Sequence, residues 1–265
     1  MNENLKWGAA AVAVVGLSVG AVLYFSYRDK APPVTKPAVA VVPAPEPVLP
    51  PEPAVKNPLP PAESQVPLPK LEDSDQPMAS SLEEVLGKEA IERFVIPKDL
   101  IRHIVVTVDN LAAEKVAERI RPVKRTPGSF VVSGTEDAPM LDPANYERYA
   151  PALAVIRSAD TKQLVAVYKR YYPRFQEVYE SLGHPPEYFN DRLIEVIDDL
   201  LAAPDLQAPV PLARPNVLYE YADPQLEARS AGQKAMMRMG SANARVVKDK
   251  LRELRSELAA NKPAK

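Results

Sequence analysis

The segment NDRLIEVIDDLLAA carries four carboxylates, Asp191, Glu195, Asp198 and Asp199, among apolar residues Leu193, Ile194, Ile197, Leu200 and Leu201 that recur at helical spacing. On a helix, Asp191 and Glu195 stand one turn apart on one face, a pairing that suits a general acid and base for glycan cleavage or a hard-cation site. With Arg192 between them, the same residues also describe a solvated acidic face, the commoner use of charge on a helix surface. The rings of Tyr168, Tyr171, Tyr172, Phe175, Tyr179, Tyr188 and Phe189 would stack on sugars or peptide side chains. At helical spacing such rings more often form core, with their hydroxyls satisfied at its rim.

Other chemistries are excluded by composition. Cysteine is absent, which removes disulfides, thiol nucleophiles and thiolate metal sites. The two histidines, His103 and His184, belong to no HExxH or similar spacing, so no metal site and no cofactor is assigned. No Gly-rich phosphate loop, GxSxG elbow or nucleotide fingerprint is present, and no residue is assigned as catalytic. A net charge of -2 makes nucleic acid an unexpected partner. From Gln225 onward there are ten Lys and Arg against four acids, a basic amphipathic segment that suits anionic lipid, an acidic partner or a solvated face. Asn190, Asp191, Arg192, Gln233 and Lys234, with Tyr188 beside them, place polar groups at helix starts or breaks where no core role requires them. These six are the expected partner-binding residues.

The elements that must position them occupy only part of the chain. Residues 1–6 form a short tail, followed from Trp7 to Tyr27 by 21 residues without a formal charge. At about 1.5 Å per residue this run reaches roughly 31 Å as a helix, the thickness of a hydrocarbon core. Trp7 stands at one end, Tyr24 and Tyr27 at the other, with Lys6 and Arg28 outside, as expected of a transmembrane helix at both interfaces. A cleaved signal peptide ending near Ser18, Val19 and Gly20 is the alternative, but the apolar run continues past that point through Phe25. Gly16 and Gly20 form a GxxxG pair, a candidate helix–helix contact for a homodimer. Flanking charge is nearly balanced, Lys6 and the amino terminus before the helix against Arg28, Lys30 and Lys36 after it, and slightly favours a cytoplasmic C-terminal domain.

Residues 28–78 are proline-rich and read as a disordered, semi-rigid linker with polyproline II character. Residues 79–260 are expected to form one helical soluble domain, and 261–265 a disordered tail. The fold class is all-α, a mainly helical orthogonal bundle with one irregular loop or short strand between Arg121 and Leu141. A capping box at Ser81 and Glu84 marks a helix start, Pro97 opens a helix through HIVVTVDNL, and Asp142–Pro143 opens another toward Arg157. Asp160 caps a helix that Pro173 must kink or divide and that Gly183 ends. The four-proline stretch 204–216 reads as a loop, with Val217, Leu218, Tyr219 and Tyr221 packing it onto the core. Asp223–Pro224 starts a helix broken at Gly232 or Gly240, and a last helix carries Val247, Leu251, Leu254 and Leu258.

The runs FVIPKDLIRHIVVTVDNL, LDPANYERYAP, YKRYYPRFQEVYESLGHPPEYFNDRLIEVIDDLLAAP, VLYEYADPQLEARSAGQKAMMRMG and VVKDKLRELRSEL resemble successive blocks of family three thousand and fourteen of the bacterial domains of unknown function. The chain departs from that family at AAEKVAERI, where a proline and basic residues are more usual. The family brings no activity or catalytic residue to transfer. Its plan of cytoplasmic tail, inner-membrane helix, Pro-rich spacer and helical domain implies a periplasmic C-terminal domain, against the weak charge count. The resulting expectation is a single-pass bacterial inner-membrane protein whose periplasmic domain binds a protein or cell-wall partner. The alternative is an envelope hydrolase or lyase using the acidic residues of the 190–199 helix. A weaker third reading docks the basic C-terminal helix on anionic lipid.

Overall fold

In a computed structural model, the structure describes residues 55–60, 67–114, 119–184 and 187–259. The expected transmembrane helix at 7–27, its Gly16 and Gly20 contact, the tail from 261 and much of the linker lie outside the described residues. Among the described residues no helix is long and apolar enough to cross a membrane.

The described chain is mainly helical. Helix α1 spans Asp75–Leu86, α2 Lys88–Phe94 and α3 Leu100–Leu111. A hairpin follows, β1 (Val132–Gly134) against β2 (Pro139–Leu141), then α4 (Ala144–Glu147), α5 (Ala150–Ser158), α6 (Thr161–Ser181) and α7 (Phe189–Leu201). A second hairpin pairs β3 (Leu212–Ala213) with β4 (Glu220–Tyr221), and α8 (Pro224–Glu227), α9 (Ala231–Arg238) and α10 (Ser241–Ala259) complete the order.

Helix α6 is the spine, packed by α1 and α3 along one length and by α7 and α10 along another. Its buried residues Tyr171, Phe175, Val178 and Tyr179 meet Met78 of α1, Leu100, Ile101 and Val105 of α3 and Phe189 of α7 in the largest core cluster. Phe175 and Phe189 lie parallel with ring centroids 5.8 Å apart, and Tyr179 and Tyr168 tilt against Phe189. The tyrosine series is thus largely core, and burial raises the pKa of Tyr168, Tyr172 and Tyr179. A neighbouring cluster joins Val165 of α6, Ile194 and Ile197 of α7 and Leu258 of α10.

Several helix boundaries differ from the sequence expectation. Helix α1 begins at Asp75, ahead of the expected linker end at residue 78, and Pro77 sits in its first turn, where a missing amide costs no bond. Ser81 is consequently not a cap. It lies buried within α1, bonded to the Pro77 carbonyl at 3.0 Å and within 3.3 Å of the Tyr171 hydroxyl. Pro97 precedes α3 without joining it. The start of α3 is instead capped from a distance by Asp75, whose two oxygens accept from the amides of Asp99 and Leu100 at 2.8 Å each, with Asp99 held in left-handed backbone at φ 50°. The β-branched HIVVTV run is helical, with Ile101 and Val105 buried one turn apart.

Helix α6 runs through Pro173 undivided, and Asp160 caps it by accepting from Gln163 N at 3.0 Å. The helix expected after Asp142–Pro143 is broken near Tyr149 into α4 and α5. The second hairpin lies where a simple loop was expected. Of the two candidate glycine breaks, Gly240 ends α9 at φ 82°, whereas Gly232 lies inside α9. A Cβ at Gly232 would stand 2.5 Å from Leu200 Cδ2 and 3.1 Å from the Leu111 carbonyl oxygen, so glycine there permits close helix approach.

Candidate functional site

The start of α7 is held by a piece of the expected linker. Asn57 N donates to Asp191 Oδ1 at 2.7 Å and Asn57 Nδ2 to the same oxygen at 2.8 Å, while Lys56 N donates to Asp191 Oδ2 at 2.9 Å. The adjacent Asn190, with no exposed surface, returns a bond from Nδ2 to the Asn57 carbonyl at 2.9 Å and accepts from the Tyr168 hydroxyl at 3.3 Å. Lys56 Nζ stands 3.4 Å from Glu195, and Leu59 packs on the cluster of Val165, Ile194 and Ile197. Residues 55–60 therefore form a strap across α7. Helix N-termini present unpaired amides and favour anions, so Asp191 in the first turn is well placed electrostatically, and its remaining lone pairs face outward to the strap.

The other expected contact residues are also engaged within the fold. Arg192 donates from Nε to Asp109 Oδ1 at 2.9 Å and from Nη2 to the Asp109 carbonyl at 2.7 Å, tying α7 to α3. His184, stacked on Tyr179 at 4.6 Å, approaches Asp109 and Glu187 at 3.5 and 3.4 Å. Tyr188 is half-buried against Tyr172, ring centroids 5.3 Å apart. Gln233 is buried and donates from Nε2 to both the carbonyl oxygen and Oδ1 of Asp199, at 2.9 and 2.8 Å. Ser230 caps α9 through Gln233 N and donates its own hydroxyl to Asp199 Oδ2 at 2.6 Å. Lys234 bonds the carbonyl and Oε1 of Glu227 at 3.0 and 2.9 Å. Burial opposes ionisation of Glu227, but the bonds from Lys234 and from Tyr221 N outweigh it and lower its pKa. Asn190, Asp191, Arg192 and Gln233 thus connect elements distant in sequence, which a one-dimensional reading cannot see, whereas Lys234 bonds within seven residues.

The four carboxylates of α7 are divided among separate partners: Asp191 to the strap, Glu195 between Lys56 and Arg192, Asp198 to Arg255, and Asp199 to Ser230 and Gln233. A cleft of about 530 Å³ lies elsewhere, lined by Leu71, Asp75, Asp99, Arg102 and Arg174 among others. Among the described residues no group of three or more His, Asp or Glu side chains is arranged to hold a metal ion.

A surface without a counterpart in the sequence reading is built by the two hairpins. Leu141 N donates to the Val210 carbonyl at 2.9 Å, and Met140 bridges Pro211, joining β2 to β3. Beneath them Leu141, Val210, Leu212, Tyr221 and Met237 form a small core. Asn145, buried in α4, exchanges bonds with both the amide and the carbonyl of Val131, at 2.9 and 2.6 Å. Arg148 grips the carbonyls of Pro127 and Gly128 at 3.0 and 2.9 Å. This double hold fixes the loop carrying Phe130, whose ring lies 6.3 Å from that of Tyr219, and Arg214 covers the Tyr219 ring at 5.4 Å.

Tyr221 reaches the core as expected, but Val217 and Leu218 do not, being 78 % and 74 % exposed at the apex of the second hairpin. Phe130 and Val131 are 39 % and 40 % exposed, and Phe130 faces Tyr219, which follows Leu218 in the chain. Adjacent aliphatic residues directly after the Pro215–Asn216 turn pair were the available signal, since a two-residue apolar pair at a hairpin tip has no inward side to alternate onto.

Taken together, the fold and these surfaces define a helical domain with an apolar hairpin apex and a strapped helix terminus. The family described as "Protein of unknown function (DUF3014)" matches residues 100–255, and the chain belongs to that family. No curated protein and no solved structure matches the chain.

Proposed function

We propose that this chain is a tethered binding protein of the bacterial inner membrane, spanning the bilayer once at residues 7–27 and presenting its helical domain in the periplasm to a partner protein or cell-wall component. The observation that carries the reading is the exposure of Val217 and Leu218 on a hairpin whose base is paired through Leu212–Tyr221 and Ala213–Glu220. Large aliphatic side chains left in water at a fixed position mark an interaction site more often than a scattered surface apolar residue does. Tyr219, the next residue along, carries this apolar surface to the exposed ring of Phe130, and Arg214 over the Tyr219 ring gives it a cationic edge. An aliphatic apex of this kind favours a protein partner with an apolar pocket rimmed by acidic groups, because aliphatic side chains offer a glycan little to hydrogen-bond.

The experiment is a photo-cross-linking residue at position 217 of the full chain in cells, with position 162 on α6 as the reference surface. The reading expects a discrete adduct from position 217 that disappears on Leu218→Ser. Adducts equal in yield at both positions, or none at 217, would overturn it. A reporter fused after Lys265 and active on only one side of the membrane tests the orientation separately.

A further inference from the structure

We propose that the N-terminal end of α7 is a docking site for a short extended peptide, and that neighbouring copies of this chain exchange Lys56–Leu59 between these sites. The site has the features of peptide recognition. It takes main-chain groups on both sides of one residue: Asp191 accepts from the amides of Lys56 and Asn57, and Asn190 donates to the Asn57 carbonyl. It also reads the side chain, because Asp191 Oδ1 accepts from Asn57 Nδ2 at 2.8 Å, a contact that requires a donor at that position. Leu59 supplies an apolar anchor on Ile194 and Ile197. Pro58 and Pro60 bias the segment toward an extended form before it docks, which lowers the ordering cost.

Asn190 is the buried element of the site. With the strap seated it has no exposed surface, and its Oδ1 accepts from the Tyr168 hydroxyl on the domain side while its Nδ2 donates to the strap. Asn57, Leu59 and Asp191 are half-buried in the contact, and the Lys56–Glu195 pair is its open edge. Lys56 and Glu195 have 71 % and 54 % of their side-chain surface exposed, a pairing that is easily broken and re-formed.

Every copy carries both strap and site, so two copies can exchange straps reciprocally and close as a two-fold pair. The advantage of the chain's own strap is its local concentration, and copies anchored in one membrane have a comparable one; to that extent the inference rests on the anchored reading. Residues 28–54, at about 3.1 Å per residue, reach at most about 85 Å, so neighbouring anchors need not touch for the domains to meet.

The absence of cysteine makes the test direct. Full-length Lys56→Cys and Glu195→Cys chains are co-expressed and joined with a short bis-maleimide, alongside a chain carrying both substitutions. The inference expects a covalent dimer in the mixture, reduced at least tenfold when Asn57→Asp, which sets a carboxylate against Asp191, is added to the Lys56→Cys chain. Closure of the doubly substituted chain on itself with no dimer in the mixture would overturn exchange and leave the strap strictly within one chain. A dimer insensitive to Asn57→Asp would overturn it as well, since proximity alone would then account for the product. Membrane fractionation of the same samples reports on anchoring independently.

Discussion

Replacing Gln233 by Leu separates a structural from a partner-binding role for this residue. The substitution keeps the approximate volume and the apolar stem, so the cavity contribution is small. It removes the two donors that reach the Asp199 carbonyl and Asp199 Oδ1, at 2.9 and 2.8 Å. A bond to a neutral carbonyl contributes about 0.5–1.5 kcal/mol and one to a carboxylate about 1.5–3 kcal/mol. Asp199 retains Ser230 on its other oxygen, so the carboxylate is not stranded and the lower part of each range applies. The expected loss is about 2–3 kcal/mol. For a domain of this size each kcal/mol moves Tm by about 2–4 °C, giving a fall of roughly 4–12 °C by calorimetry or thermal circular dichroism. The cross-link from position 217 should persist at temperatures where the variant remains folded. A Tm within about 1 °C of the parent, together with loss of that cross-link, would refute the reasoning and return Gln233 to the contact surface.

Three other outcomes follow from the same geometry. Gly232→Ala should destabilise by about 1 kcal/mol in chemical denaturation despite alanine's better helix propensity, because the added Cβ meets the Leu111 carbonyl at 3.1 Å; a gain in stability would show that α3 and α9 can separate freely. Glu227 has a folded pKa below its unfolded value, so its stabilisation is present above the unfolded value near 4.5 and is lost as pH falls through the folded one. The stability gap between the parent and Glu227→Gln should therefore be full at pH 7 and narrow as pH falls below 4.5 through the folded value, and a gap independent of pH would contradict the bond to Lys234. Burial raises Tyr168, Tyr172, Tyr179 and Tyr221 above 10.0, so their contribution is full below pH 10 and is lost as pH rises beyond it. Their phenolate absorbance should appear together with loss of helicity in one cooperative alkaline step, and ionisation well before unfolding would place these rings outside the core.

The sequence by itself determined the elements whose signal is local. Helical spacing marked α6, α7 and α10, and the Asp160 and Asp223 caps are set by residues that bond amides two or three positions away. Family membership was likewise legible, because long blocks such as YFNDRLIEVIDDLLAAP are linear patterns. Tertiary structure decided what depends on residues far apart. Asp75 caps α3 from another helix, so neither the start of α1 nor that of α3 could be read from its own neighbours. Asn190 and Asp191 had no visible role inside the fold until Asn57, more than 130 residues earlier, was brought against them. Gln233 looked exposed until Asp199 closed over it. Val217 and Leu218 looked like core until the two hairpins joined with that apex outward. A polar side chain's role is set by the partner that satisfies it, and an apolar one's by the side of the fold it faces. Both are properties of the packed chain and not of the order of its residues.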